Sequence, residues 1–179
     1  GDAVRHLDTI FNGAVAVRDG KIVAVGNTTE LKSRYYPKRN FQADGCLVSP
    51  GLVDPHSHLL YAGSRHDEWD AKVTGRGIAA GLQGGIHRSV AWTREATDEA
   101  LITQARRDLD EMLIHGTTML EAKTGYGLDK DTELRMLRLT NSIDHFITVI
   151  PTYLGAHVPP KEYKHDTDAY VEMVIDLLP

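Results

Sequence analysis

The sequence predicts an α/β protein with parallel strands, preceded by a small β-rich segment. Three observations predict it. From about residue 50 onward, strand-like and helix-like stretches alternate, as parallel strands joined by right-handed crossovers require. Polar or glycine-rich residues follow each strand-like stretch: His56 and His58, then Lys123 and Tyr126, then His157. Before residue 50, Asp19-Gly20 separates two β-branched runs, and Asp-Gly in that setting is a strong hairpin signal because both positions tolerate positive φ.

The totals set limits. A chain of 179 residues with 41% hydrophobic and 25% charged residues suits one sizeable core. Its net charge of −5 offers no positive field to a polyanion, so neither nucleic acid nor an anionic membrane is an expected partner. The single cysteine, Cys46, excludes an intrachain disulfide and suggests a reducing, cytoplasmic setting. No long uncharged apolar run predicts a transmembrane helix, and the start, GDAVRHLDTI, lacks the pattern of a signal peptide.

In chain order, residues 14–17 and 22–25 are the two hairpin strands. A short helix over 29–34 follows, with Thr28 as its cap. The stretch LVSPGLVDPHSH at 47–58 is a short buried strand, confined by Pro50 and Pro55. His56 and His58 are two apart, so both imidazoles project to one face. Two neutral imidazoles on one face can ligate one divalent metal, although two exposed histidines would give the same pattern.

Residues 59–96 are glycine-rich and read as a long loop, with 66–73 helical. Gly84-Gly85-Ile86 lacks the lysine and the flanking strand and helix of a phosphate loop, so a tight backbone turn is expected there. Residues 97–115 form the clearest helix. Thr97 suits its start, Leu101, Ala105, Leu109 and Met112-Leu113 recur at helical spacing, and Gly116 ends it. A buried strand over 117–122 follows, then a Gly-Tyr-Gly loop. A helix over 129–143 is expected to bury Leu134, Leu137, Leu139 and Ile143. A strand over 146–153 and a helix over 166–178 complete the order.

With these residues in view, the chain resembles the imidazolonepropionase family of the metal-dependent amidohydrolase superfamily. The resemblance rests on PGLVDPHSH at 50–58, AGSR at 62–65, GGIHRSVAWTR at 84–94, HGTTMLEAKTGYGLD at 115–129 and PTYLGAHVPPKEY at 151–163. His-x-His is a superfamily feature; the TGYGLD and LGAH segments are more specific to this family. The resemblance implies a (β/α)8 TIM-type barrel with a small β-sandwich made from both chain ends. Residues 1–48 would then belong to the sandwich, and residues 49–179 to about the first three of the eight βα units. It implies hydrolytic ring opening of 4-imidazolone-5-propanoate to N-formimidoyl-L-glutamate in histidine degradation. It also suggests a homodimer.

Carried over by position, His56 and His58 resemble metal ligands for one divalent or trivalent ion, Zn or Fe. Arg65 resembles the group that grips the substrate carboxylate, and Tyr126 and His157 resemble substrate-binding residues. A guanidinium fork suits a carboxylate, although Arg65 by itself reads first as a surface ion pair with Asp67 or Glu68. Tyr126 by itself equally suits packing on a helix, and His157 by itself reads first as a backbone-satisfied histidine at the core edge. Glu121 and Lys123 share a strand face and read as a salt bridge.

The implied mechanism is attack on the ring carbonyl by metal-activated water, with His157 as a donor to the developing oxyanion. Two departures from the family pattern, Ile78 and Gln83, bear on substrate choice. The family's other metal ligands and its acid/base glutamate are expected beyond Pro179, so the 179-residue chain alone is expected to be inactive. The alternatives are another amidohydrolase, acting on a cyclic amide or as an aminohydrolase, and a non-catalytic fragment or binding module of the same fold.

Overall fold

A computed structural model describes residues 8–75 and 84–178. The chain divides into two compact units, Gly1–Ser49 and Pro50–Pro179.

In the first unit, β1 (Gly13–Arg18) pairs antiparallel with β2 (Lys21–Asn27). Asp19 and Gly20 close the turn with φ of 51° and 72°, the left-handed pair that matches strand twist in a two-residue hairpin. The helix α1 spans Thr28–Arg34 and is capped by Asn27, not by Thr28 as expected. The Asn27 side chain accepts from the Thr29 N–H at 2.9 Å. Thr28 is occupied elsewhere: its N–H donates to Asn12 O at 2.9 Å and its hydroxyl to Gly13 O at 3.0 Å. The helix start is thus tied to the hairpin. Among the described residues of this unit the sheet has two strands.

The second unit is built on three parallel strands in the order β3-β4-β5: β3 (Leu52–Ser57), β4 (Thr117–Lys123) and β5 (Thr148–Thr152). Between β3 and β4 lie α2 (His66–Thr74), α3 (Ile86–Glu95) and α4 (Asp98–Ile114); α5 (Lys130–Asn141) connects β4 to β5, and α6 (Thr167–Ile175) follows. The expected strand-helix alternation and parallel pairing are present. The described strands form an open sheet, not a closed barrel.

The core gathers Leu59, Leu60, Leu101, Ala105, Leu109, Leu120, Ala122, Met136 and Ile147. Along α4, Leu101, Ala105 and Leu109 form the expected buried stripe. Thr97 caps α4 by accepting from the Ala100 N–H at 3.2 Å. Gly116, with φ of 95°, follows its last turn, a conformation that favours glycine.

Several expectations need correction. Leu52 and Val53 are not buried: they are 57% and 59% exposed, because β3 is an edge strand and no described element covers them. In β4 only Leu120 and Ala122 are buried, and Met119 is exposed. Phe146 lies outside β5 and is exposed. The stretch after β3 is not one long loop, since α3 follows the Gly84-Gly85 turn directly. Helix α5 turns a different face inward. Its buried residues are Glu133, Met136 and Thr140, while Leu139 and Ile143 only border the core.

Candidate functional site

Pro55 shapes the end of β3. Pro55 has no N–H to give to the sheet, and the pairing of β3 with β4 shifts between Asp54 and Ser57. The freed N–H of His56 turns to the Asp54 carboxylate, at 3.0 Å. His56 and His58 follow on one side of the strand, ring centroids 5.7 Å apart. Leu59 and Leu60, both buried, pin the backbone immediately after them.

His58 stacks on His157 at 4.7 Å, with 19° between the ring planes. The Tyr126 ring meets His58 edge-on at 4.9 Å and His157 at 5.6 Å. Tyr61 lies tilted against Tyr126 at 6.0 Å. Three strand ends therefore contribute to one aromatic cluster. Of the five predicted site residues, the structure brings together His56, His58, Tyr126 and His157.

Burial, His157 and His56 lower the pKa of His58, while the backbone of Thr124 and Lys123 opposes the shift. The Nδ1 atom of His58 is buried and makes no hydrogen bond. A neutral imidazole with a free buried nitrogen, beside a second imidazole, fits part of a metal's donor set. Among the described residues, no group of three His, Cys, Asp or Glu side chains is gathered as a complete metal site would need.

The hydrogen bond of His157 fixes its chemistry. Nδ1 lies 2.9 Å from the carbonyl oxygen of Gly125. A carbonyl only accepts, so Nδ1 carries the proton. Neutral His157 therefore presents a lone pair at Nε2, and it donates there only as an imidazolium. The expected donor role of His157 is limited to its protonated form.

The loop between β4 and α5 is held by Glu133, a residue that the sequence pattern did not single out. Its carboxylate is fully buried. It accepts from the Gly125 N–H through both oxygens at 3.1 Å, and from the N–H groups of Gly127 and Leu128 at 2.8 Å each. The glycines are needed for space. A Cβ on Gly125 would lie 2.8 Å from His157 Cβ, and one on Gly127 would lie 2.9 Å from the Glu133 backbone nitrogen. On the other side of the loop, Arg94 Nε donates to Gly127 O at 2.7 Å and pairs with Asp129 at 2.8 Å. Arg94 Nη2 sits 2.7 Å from Glu162 Oε1 but is poorly aligned for a hydrogen bond.

Arg65 precedes α2, half-exposed, with Nη1 3.9 Å from Glu68 Oε2. This is the expected ion pair in a long, weak form. Glu68 is engaged elsewhere, accepting from the Gly85 N–H at 2.9 Å and from Arg88 at 3.3 Å. Arg88 also pairs with Asp67 at 2.7 Å. The expected salt bridge between Glu121 and Lys123 is formed, and Glu121 accepts from the Thr152 hydroxyl at 2.9 Å. Lys123 and Thr152 hold the Glu121 carboxyl below its usual pKa. Ile78 and Gln83 lie outside the described residues.

Fold and cluster together define a parallel βα protein whose candidate site sits at the C-terminal ends of its strands. Comparison with known proteins shows what the chain is similar to. The model of an imidazolonepropionase-like composite domain of bacteria matches residues 13–35. An imidazolonepropionase of Haloarcula marismortui is 47% identical across 96% of this chain and 42% of its own length. That of Geobacillus kaustophilus is 43% identical across 98% of the chain and 43% of its own length. That of Halobacterium salinarum is 47% identical across 95% and 42%. The chain is a relative of the imidazolonepropionases over nearly all of its own length, and it spans about two fifths of the curated relatives it matches.

Proposed function

We propose that this chain carries the first metal ligands and part of the substrate pocket of a hydrolase acting on 4-imidazolone-5-propanoate. The ring opens to N-formimidoyl-L-glutamate, a step of histidine degradation. The observation that carries the reading is the cluster of His56, His58, Tyr126 and His157 at adjoining strand ends, with one buried imidazole nitrogen free. The names of the relatives support the substrate. The complete protein is a (β/α)8 barrel with a small β-sandwich, cytoplasmic and homodimeric. Among the described residues, no helix is long and apolar enough to cross a membrane.

His56 and His58 would hold one ion, Zn or Fe, both of which accept imidazole. When bound, the ion supplies Lewis-acid activation of water. The chain's own residues bind and orient the substrate. His157, its Nδ1 proton held by Gly125, offers Nε2 as an acceptor for a ring N–H of the substrate. Tyr126 closes the pocket edge-on to both imidazoles and offers its hydroxyl. Arg65, loosely held by Glu68, can exchange that carboxylate for the propanoate of the substrate.

The test uses the complete protein with both histidines replaced, His56→Ala and His58→Ala. Bound metal and ring opening are expected to vanish together, measured by elemental analysis and by loss of imidazolone absorbance. Stoichiometric metal retained in the double variant would sink the assignment.

A further inference from the structure

We infer that Glu133 is a positioning residue for Tyr126 and His157, acting through the backbone of residues 125–128. The inference rests on the substrate-binding reading of those two side chains.

A buried carboxylate is costly unless charged hydrogen bonds replace its water. Glu133 is fully buried, and three N–H groups of one loop meet its charge. Two of them, on Gly125 and Gly127, flank Tyr126. With the peptide units 124–125 and 126–127 both held, the 125–126 unit between them and the Cα–Cβ direction of Tyr126 have little freedom left, and the ring falls edge-on to His58 and His157.

The second consequence runs through Gly125. Its N–H is held by Glu133 and its C=O receives His157 Nδ1 at 2.9 Å. Gly125 has φ of 108°, and its Cα hydrogens face His157 and the Leu154 carbonyl with no room for a Cβ. By holding the peptide units on either side, Glu133 restricts where the Gly125 carbonyl can point. That carbonyl selects the Nδ1–H tautomer and leaves the Nε2 lone pair for the substrate. Glutamine could keep one acceptor oxygen, but its NH2 would face the Gly125 N–H donor.

The test is Glu133→Gln in the complete metal-loaded enzyme, with two readouts. In the first, kcat/KM for imidazolone propanoate is expected to fall on the order of 10-fold to 100-fold, the size of one charged hydrogen bond. Placed in a Tyr126→Phe/His157→Ala background, the same change is expected to cost less than about 3-fold, because coupled residues are not additive. An undiminished loss in that background would make Glu133 merely structural and overturn the inference. The second readout is the 15N spectrum of labelled His157. The native protein is expected to show the Nδ1–H tautomer, and Glu133→Gln a mixture. An Nε2–H tautomer in the native protein, or an unchanged tautomer in the variant, would overturn the inference. Should Glu133→Gln not fold, Glu133→Asp keeps the charge, withdraws it by one methylene, and carries the same comparisons. If the native protein turned over no imidazolone, the proposed function would be at fault, and the tautomer readout would still decide the role of Glu133.

Discussion

Two glutamates hold two glycine loops in this chain, and they do it differently. Glu133 is sealed in the interior and spends its whole charge on backbone N–H groups. Glu68 binds one backbone N–H, that of Gly85, and shares its charge with Arg88 and, at a longer distance, Arg65. The first arrangement fixes a loop and leaves no charge for anything else. The second keeps a cation nearby that is only half committed. A site that aims side chains and, as proposed, receives a carboxylate has a use for each.

The largest expected effect breaks the first arrangement. Glu133→Ala leaves three buried N–H groups without an acceptor and should destabilise the complete protein by roughly 3 kcal/mol or more. Urea unfolding monitored by circular dichroism checks this, and a loss within the scatter of surface substitutions would mean that water replaces the carboxylate. The second arrangement is tested at Arg65. Arg65→Met should cost on the order of 2–5 kcal/mol in kcat/KM for the carboxylate substrate, with a much smaller loss on a neutral ring analogue. Equal losses on both substrates would assign Arg65 to its ion pair with Glu68.

The smallest effect concerns Asp67, the outermost member of the Glu68 group. The Arg88 hydrogen bond holds its pKa below the usual carboxylate value. A carboxyl whose folded pKa is depressed adds stability above its unfolded pKa and loses it as pH falls through the folded one. Its contribution should therefore be present at neutral pH and disappear below about pH 4. Asp67→Asn should flatten that acid limb slightly in denaturant midpoints taken from pH 6 downward. An unchanged acid limb would show that solvent already screens the pair.

Much of the fold was legible because its signals are apolar and periodic. The hairpin around Asp19-Gly20, the stripe of α4 and the parallel order of β3, β4 and β5 all follow from such signals. Helix α3 was not legible, because its buried face is Ser89, Val90 and Thr93. The Thr93 hydroxyl is consumed internally, donating to Ser89 O and accepting from the Ala62 N–H, and small polar residues of this kind do not register as a hydrophobic stripe. The same cause turned the face of α5, where two of the three inward residues, Glu133 and Thr140, are polar. Charged residues on helices belong by default to the solvent face. Only the unsatisfied N–H groups of a tight Gly-Tyr-Gly turn could have pointed to Glu133. The cluster of His56, His58, Tyr126 and His157 was legible as a set of strand-end residues. The choice of tautomer at His157 was not, because it depends on where one carbonyl points.

The pairing of β3 with β4 joins distant parts of the chain: the Thr118 hydroxyl reaches Leu52 O across 66 positions of sequence. The pairing of β4 with β5 spans far less, with α5 as its only intervening helix. Closing the longer loop carries the greater entropic cost and the slower step. Pulse-labelled hydrogen exchange during refolding should show amides of β4 and β5 protected before those of β3, and the reverse order would refute this. During synthesis the delay is longer still. At about 5–20 residues per second, the ribosome needs several seconds to lay down β4 after β3 has emerged. For that interval His56 and His58 lie on an unpaired strand, before Tyr126 and His157, their neighbours in the folded protein, have been made.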